Sequence, residues 1–463
     1  MFDSQVRTEM NILGISGQDR NASAALVSDG RVVAAIEEEK LSRIPNVGMA
    51  YCGGLPFRAM EFCLDRGNIQ IGDVDYLAYY TRPLKQLLRS AGLRNIRTML
   101  RPAIGTFGRL PGYFLDGLAG LKQHSNTKHK IEAIVSNRAR FVAIDHQVCH
   151  ASAAFYPSGF DRSAVAVAGN MGDLTSMALM TGLDAKLGLQ AEARFPHSLG
   201  MVYTAVTSAL GFGAGRENKT MWLALTGEDE FAPVFRDLMQ IDPDGLPYVN
   251  QVYFKDLAKG SPSLSDPFFR RTGLEHERKN GKIGSVHRNI ACSLQLRLET
   301  VLCEVVARYR ERSGHENLCL AGGVASNSLA NAAIERDAGY RQVFVEPVPG
   351  NAGCSIGAAL YIWHDMLGHA RSDHSKHSLL LGPKFDDEVI KPVLDNCKLD
   401  YKYFLTEDRQ IDEVARLLAQ GKIIGRFGGA LEFGPRALGS RCILASPATG
   451  IMRDNLNQYI KHR

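Results

Sequence analysis

Short apolar runs separated by polar turns begin the chain. One run covers residues 11–16, a second covers 22–27 and a third covers 32–36. Asp29-Gly30 lies between the second and third runs. This dipeptide between two β-prone segments is typical of a hairpin, because Gly30 accepts the positive φ that the turn requires. The pattern therefore predicts three strands, the last two joined by a tight turn.

A second region of the same kind runs from residue 141 to residue 182. It repeats the order of apolar strand, polar glycine-containing turn and strand, and this repetition indicates an α/β fold with two similar units. Three strands are predicted, at 141–144, 163–167 and 177–181, with a helix at 150–156.

The later part of the chain alternates between helical and strand patterns. A polar segment at 367–385, rich in His, Ser, Asp and Lys, is predicted to be a linker, so we expect domains at 1–375 and 390–463. Helices are predicted at 285–313, 326–337, 352–366 and 411–418, and strands at 317–320, 343–345 and 422–427.

Composition narrows the class of protein. The 463 residues are 45% hydrophobic and 22% charged, which is typical of a globular protein. No apolar run is long enough to span a bilayer, and the N-terminus lacks the features of a signal peptide. The nine cysteines form no C-x-x-C pair, which favours reduced thiols. A cytoplasmic protein is the resulting expectation.

Basic residues are concentrated between positions 82 and 140. Twelve Lys and Arg residues stand there against two acids, Asp116 and Glu132, at rough helical spacing with Leu and Ile. This pattern favours a solvated helical face, with an anion-binding surface as the alternative. Nucleic-acid binding is not favoured, because no aromatic stacking motif accompanies the basic residues.

Two histidines occur four residues apart in the segment DHQVCH. On a helix, His146 and His150 would share one face and could bind one metal ion. Spacing alone leaves the alternative that they cap or pack against the fold.

Two glycine-rich loops each lead into a predicted helix. In LAGGVASNSLAN, Gly322 and Gly323 precede Asn327; in PVPGNAGCSIGAA, Gly353 and Gly357 share a helical face. Glycines at a helix start allow backbone N–H groups to approach a phosphate. Tight turns remain the alternative, but two such loops together favour nucleotide binding.

A third glycine-rich segment, FGGALEFGPRALGSR, contains Arg436 and Arg441. Guanidinium groups on a stiff loop suit phosphate or carbamate oxygens. A surface turn with solvated arginines is the alternative.

These motifs occur together in an order that resembles the nodulation-type O-carbamoyltransferase family. The resemblance rests on NASAALVSDGRVVAAIEEEKLSR, DHQVCHASAAF, SLGMVY, ENKTM, LAGGVASN and LEFGPRALGSR, and covers roughly residues 11–463. It implies a duplicated actin/Hsp70-like (ASKHA) domain, followed by an α/β domain that forms carbamoyl adenylate. That second domain would be incomplete here, with about 75 residues from near position 390. The resemblance therefore leaves open a fragment, a reduced domain, or completion by a partner chain or a homodimer.

The resemblance also implies a reaction. Carbamoyl phosphate, ATP and one water would give carbamoyl adenylate, pyrophosphate and phosphate, and a hydroxyl or amine of a small natural-product acceptor would then displace AMP. The implied cofactors are ATP with Mg²⁺ and a divalent Fe, Mn or Zn ion.

Site residues follow from the resemblance position by position. The metal ligands would be His146 and His150, with Asn351 in the third position. The catalytic candidates are His150, Lys219 and Asp173. The residues expected to bind nucleotide or phosphate are Gly322, Gly323, Asn327, Gly353, Arg436, Arg441, Lys461 and Arg463.

Several positions depart from the family pattern. Family carboxylates are replaced at Asn21, Ala168 and Asn351, an arginine at Ala430 and a glycine at Trp222. An amide is a weaker metal ligand than a carboxylate. Two hypotheses therefore stand: a carbamoyltransferase, or an impaired homologue that binds and regulates or completes a partner enzyme. A small-molecule kinase of the same fold is a third, less favoured one.

Overall fold

The computed structural model describes residues 9–82, 129–130, 139–213, 215–255, 263–275, 283–371 and 378–461. Most of the basic segment predicted as a helical face, and Arg463, therefore lie outside the described residues. The chain divides into two compact units, Met1–His377 and Ser378–Arg463. The first contains two five-stranded sheets, and the second contains one two-stranded sheet.

The first sheet has the strand order β3-β2-β1-β4-β5. Its strands are β1 (Asn11–Ser16), β2 (Ser23–Ser28), β3 (Arg31–Glu37), β4 (Tyr76–Tyr79) and β5 (Arg140–Ala143). β1, β2 and β3 are antiparallel neighbours, whereas β4 is parallel to both β1 and β5. The predicted hairpin is confirmed, and Gly30 has a φ of 79° in its turn.

The second sheet repeats this arrangement. Its strands are β6 (Arg162–Gly172), β7 (Thr175–Leu183), β8 (Lys186–Arg194), β13 (Asn317–Ala321) and β14 (Gln342–Val345). Between β8 and β13 the chain forms four short strands that are not part of this sheet: β9 (Met239–Ile241), β10 (Pro247–Val249), β11 (Phe254–Lys255) and β12 (Ser263–Leu264). The order β8-β7-β6-β13-β14 and the strand directions match those of the first sheet. The duplicated α/β fold of the actin/Hsp70 type is thus confirmed.

Helices pack against both sheets. They are α1 (Glu38–Ser42), α2 (Phe57–Arg66), α3 (His146–Phe155), α4 (Leu199–Ala209), α5 (Glu217–Ala224), α6 (Ala232–Leu238), α7 (Asp266–Thr272), α8 (Ser285–Ser313), α9 (Ser328–Asp337) and α10 (Cys354–Tyr361). The predicted start of α3 at His150 is wrong. Asp145 is the N-cap and accepts a hydrogen bond from the Gln147 amide at 3.0 Å, so the helix begins at His146.

α3 and α10 lie between the two sheets, with α10 against β1 and α3 against β6. Two glycines permit this close packing. A Cβ on Gly14 of β1 would lie 1.9 Å from the Ser355 carbonyl oxygen, and one on Gly357 would lie 1.9 Å from that of Cys149. α10 therefore touches backbone on both sides, which fixes its position relative to α3.

The C-terminal unit pairs β15 (Ile424–Phe427) with β16 (Arg441–Leu444) in antiparallel fashion. Its helices are α11 (Asp387–Asn396), α12 (Glu407–Ala419) and α13 (Gly450–Asn455), of which α11 and α12 contain no buried residue. Among the described helices of the whole chain, none has both the length and the apolar character needed to cross a bilayer.

Candidate active site

The predicted histidine pair is present on one face of α3. The Nε2 atoms of His146 and His150 are 3.2 Å apart, and the two rings meet edge to face. Two nitrogens each about 2.1 Å from a single ion, at an angle of about 100°, would have this separation. The pair therefore has the spacing of two ligands of one metal ion.

Burial keeps both rings in the neutral form that binds metals. It lowers the pKa of His146, although the charges of Asp173 and Asp145 oppose this change. Burial, and then the neighbouring His146, lower the pKa of His150 well below its ordinary value. The Nδ1 atom of His150 is buried and has no hydrogen-bond partner among the described residues. Neutral imidazoles whose Nε2 atoms face each other across 3.2 Å fit a divalent ion.

Asn351, the predicted third ligand, begins a one-turn 3₁₀ helix that contacts α3. Its main-chain oxygen accepts a hydrogen bond from Ser16 Oγ at 2.7 Å. A different side chain completes a cluster with the histidines. The sulfur of Cys354 and one nitrogen from each ring all lie within 4.8 Å of one another. Sequence reasoning missed Cys354, although it follows Asn351 by one helical turn.

Asp173 positions the first histidine. It lies in the turn between β6 and β7 and is buried. Its carboxylate accepts hydrogen bonds from the Thr81 hydroxyl at 2.5 Å, the Arg82 amide at 3.1 Å and the His146 amide at 3.0 Å. A Cβ on Gly172 would lie 2.0 Å from the His146 ring, so only glycine fits there. The catalytic role predicted for Asp173 stays a prediction.

Glycines line the ends of β6 and β13. Gly322 has a φ of 86°, and a Cβ on it would lie 2.3 Å from the Ala168 carbonyl oxygen. Nothing lies within 4 Å of a Cβ built on Gly323, and a Cβ on Gly169 would be 3.9 Å from the Gly323 nitrogen. We call these three residues, Gly169, Gly322 and Gly323, the glycine end. Its bare backbone lets a ligand approach closely.

Asn327 is held by a buried amide pair. Its Oδ1 caps α9 by accepting from the Ala330 amide at 3.0 Å. Its side chain also exchanges two hydrogen bonds with Gln295, of 2.8 and 3.0 Å, and Gln295 accepts a third from Tyr203. These bonds join α9 to α8. The predicted nucleotide contact of Asn327 stays a prediction.

Gly353 and Lys219 occupy different surroundings. A Cβ on Gly353 would lie 2.0 Å from Oε1 of Glu346, so this glycine packs against a carboxyl group. Burial raises the pKa of Glu346 well above its ordinary value, and sequence reasoning missed this residue. Lys219 is half-buried on α5.

In the C-terminal unit, one carboxylate holds the segment FGGALEFGPRALGSR (427–441), which we call the arginine loop. Glu432 accepts hydrogen bonds from the Leu438, Ser440 and Arg441 amides at 2.9, 2.6 and 3.0 Å. The Arg441 guanidinium lies 3.5 Å from the Phe427 ring centroid and donates to the Gly428 carbonyl at 2.8 Å. The loop also carries Arg436, which is exposed, as is Lys461 in the last described turn.

Two family models match the chain. The model described as carbamoyltransferase N-terminus matches residues 11–360, and the one described as carbamoyltransferase C-terminus matches residues 415–463. Together they include the histidine pair, the glycine end and the arginine loop.

Curated relatives agree with these matches. The uncharacterized protein sll1178 of Synechocystis is 33% identical over 98% of this chain and 74% of its own length. The nodulation protein NolNO of Sinorhizobium fredii is 31% identical over 96% of this chain and 61% of its own. The nodulation protein NolO of Bradyrhizobium diazoefficiens is 30% identical over 69% of this chain and 56% of its own length. The chain thus spans less than two thirds of both nodulation proteins. On these matches, it belongs to the carbamoyltransferase family.

Proposed function

We propose that the protein transfers a carbamoyl group from carbamoyl phosphate, through carbamoyl adenylate, to a hydroxyl or amine of a small acceptor. The observation that carries the proposal is the pair of neutral histidines, with Nε2 atoms 3.2 Å apart, inside the region matched by the family's N-terminal model. Small-molecule substrates are what the family implies.

The transfer step is assigned to the N-terminal unit. A divalent ion held by His146 and His150 would polarise the carbamoyl carbonyl. The acceptor oxygen or nitrogen forms a bond to the carbamoyl carbon, and the bond to the AMP oxygen breaks with its electron pair. The glycine end admits the AMP phosphate, and Lys219 is proposed to offset its charge.

The acceptor's proton must pass to a base. His150 cannot take it while its nitrogen holds a metal ion, so Lys219 and Asp173 remain the candidates in the proposal. Asp173 additionally keeps the start of α3 in place through the His146 amide. A metal ligand orients a substrate only if the helix that carries it is fixed. The three hydrogen bonds that Asp173 accepts hold its carboxylate in place, and one of them comes from the first residue of α3.

Adenylate formation is assigned to the C-terminal unit. Arg436, Arg441 and Lys461 are proposed to bind the phosphates of ATP, with Mg²⁺, and of carbamoyl phosphate. Arg463 belongs to the same proposed set. Three hydrogen bonds from backbone amides to Glu432 support this assignment, because they give the loop that carries the arginines a fixed shape.

An impaired homologue that binds a partner enzyme is the second candidate. One observation favours it: Ala168, where the family has a carboxylate, has its backbone against Gly322 at the glycine end. A carboxylate lost at the entrance for a nucleotide would weaken the handling of Mg²⁺ and phosphate.

The half-reaction distinguishes the two candidates without knowledge of the acceptor. The purified chain is mixed with ATP, Mg²⁺ and carbamoyl phosphate, and pyrophosphate is followed by ³¹P NMR. The carbamoyltransferase releases pyrophosphate only when both substrates are present. Because the adenylate-forming domain would be incomplete, a silent sample is tested again with the family's further C-terminal stretch fused on. A folded, monodisperse fusion that still releases none contradicts the transferase and supports the binding homologue.

A further inference from the structure

The three side chains that cluster between the sheets, His146, His150 and Cys354, differ from the ligands that the family pattern implies. We propose that His146, His150 and Cys354 form a site with two nitrogen ligands and one sulfur ligand, and that it binds Zn²⁺ in preference to Mn²⁺ or Mg²⁺. Cys354 then takes the place that the resemblance gave to Asn351. The inference concerns the ligands and the metal, so it stands or fails independently of carbamoyl transfer.

The packing of α10 brings Cys354 to the histidines. Cys354 is the first residue of α10 and is fully buried. Gly357, one turn later, touches the Cys149 backbone of α3, next to His150. Residues three apart lie on the same side of a helix. The glycine contact therefore keeps the Cys354 side of α10 against the face of α3 that carries the histidines.

Hydrogen bonds fix the turn that precedes Cys354. Ser16 Oγ donates to the Asn351 carbonyl at 2.7 Å. Ser23 and Ser355 hydroxyls both donate to the Ala352 carbonyl, at 2.9 and 2.8 Å. Three hydroxyls thus hold this backbone, and the start of α10 is anchored to the first sheet. A thiol on an anchored helix start is preorganised as a ligand.

The distances are close to those of a zinc site. The histidine nitrogens already have the spacing of two ligands. Sulfur and nitrogen ligands of tetrahedral zinc are roughly 3.5 Å apart. The Cys354 sulfur lies within 4.8 Å of a nitrogen on each ring, so an approach of about 1 Å on metal binding would complete the set.

Ligand chemistry then selects the metal. A thiolate with two imidazoles favours Zn²⁺, whereas Mg²⁺ and Mn²⁺ favour carboxylate and other oxygen ligands. Binding replaces the S–H bond of Cys354 with an S–metal bond and releases one proton to the solvent. Three protein ligands leave the fourth position of a tetrahedral ion open to an oxygen atom of a substrate or of water.

X-ray absorption of the zinc-loaded full chain tests the ligand set without any substitution. We expect one sulfur neighbour at about 2.3 Å and nitrogen or oxygen neighbours at about 2.0 Å. A first shell of nitrogen and oxygen alone overturns the proposal, as does a folded chain that binds no Zn²⁺ or binds Mn²⁺ more tightly.

Cobalt substitution then identifies the cysteine. We expect Co²⁺ bound to the wild-type chain to show a thiolate-to-cobalt charge-transfer band in the near ultraviolet. C354S should lose the band and weaken binding by at least about tenfold. The matched control is C149S, which removes a buried thiol of α3 outside the cluster and should keep the band. N351A should also keep it. A band that survives in C354S, or disappears in N351A, overturns the assignment.

Discussion

The two sheets of the N-terminal unit have the same strand order but differ where β1 meets β4 and where β6 meets β13. At the first junction, Tyr79 donates to the Gln18 side chain at 2.6 Å, and Tyr80 accepts from the Gln18 amide at 2.7 Å. At the second, Gly322 lies against the Ala168 backbone, and Gly323 faces open space. One junction is filled with aromatic side chains, and the other consists of bare backbone.

This difference shows that two sheets with the same strand order can differ in how their junctions are filled. The aromatic junction supports the site, because the Tyr80 ring centroid lies 5.3 Å from that of His146. The glycine junction leaves space for a ligand. Identical topology thus gives one end filled by side chains and one open end, and the identity of a few loop residues decides which is which.

Replacing Gly322 by valine should have the largest effect on this comparison. The φ of 86° and a Cβ only 2.3 Å from the Ala168 oxygen both oppose a side chain. We expect the free energy of unfolding to fall by about 3 kcal/mol or more. Chemical denaturation measures the change. A stability within about 0.5 kcal/mol of wild type would show that the junction is not close-packed.

Gly323→Ala should affect binding rather than folding. A Cβ there meets nothing within 4 Å, so stability should stay within about 0.5 kcal/mol of wild type. The methyl group occupies the space proposed for the AMP phosphate, and the affinity for AMP should fall about tenfold, or about 1.4 kcal/mol. Isothermal titration calorimetry measures it. Unchanged affinity would place the nucleotide elsewhere.

Tyr79→Phe should show the opposite behaviour at the aromatic junction. It removes the hydroxyl that donates to Gln18 and should lower the free energy of unfolding by about 1 kcal/mol. The affinity for AMP should stay within about twofold, because the proposed AMP site lies at the other junction. The same denaturation and calorimetry experiments decide, and a tenfold loss of AMP affinity would remove the distinction between the two junctions.

The smallest expected effect is a pH dependence in the stability of the arginine loop. Burial alone would raise the pKa of Glu432, but four backbone amides, its own and those of Leu438, Ser440 and Arg441, outweigh it and lower the pKa from 4.5 to about 2. A lowered pKa means that the charged carboxylate stabilises the loop above pH 4.5, and that this stabilisation is lost as the pH falls towards 2.

Amide hydrogen exchange at Leu438, Ser440 and Arg441 follows this loss. In wild type, we expect protection to decrease between pH 4.5 and 2 after correction for the intrinsic exchange rate. Glu432→Gln should abolish that dependence, whereas Glu407→Gln, an exposed acid at the start of α12, should retain it. An equal pH dependence in Glu432→Gln would assign the titration to another group.

Short sequence patterns predicted the turns and helices that depend only on neighbouring residues. The hairpin at Asp29-Gly30 and the helices α8 and α9 follow from turn chemistry and periodicity. The strand β8 was missed because its sequence, KLGLQAEAR, is half polar, and strand formation there depends on pairing with β7.

Of the candidate site, the sequence predicted only the arrangement of residues that are close together along the chain. The spacing of His146 and His150 sufficed to place them on one helix face. Cys354 lies about 200 residues further along, and its approach depends on the packing of α10 against α3. The buried Glu346 likewise carries no sequence signal, because charged residues are rarely buried without a partner.

The central claim is that activation and transfer occur at two sets of residues. ³¹P NMR of wild type, His146→Ala and Arg436→Ala, each with ATP, Mg²⁺ and carbamoyl phosphate, tests it most directly, with water in place of the acceptor. The account predicts that wild type forms pyrophosphate and AMP, that Arg436→Ala forms neither, and that His146→Ala forms pyrophosphate but releases AMP about tenfold more slowly. AMP release by His146→Ala at the wild-type rate would contradict it.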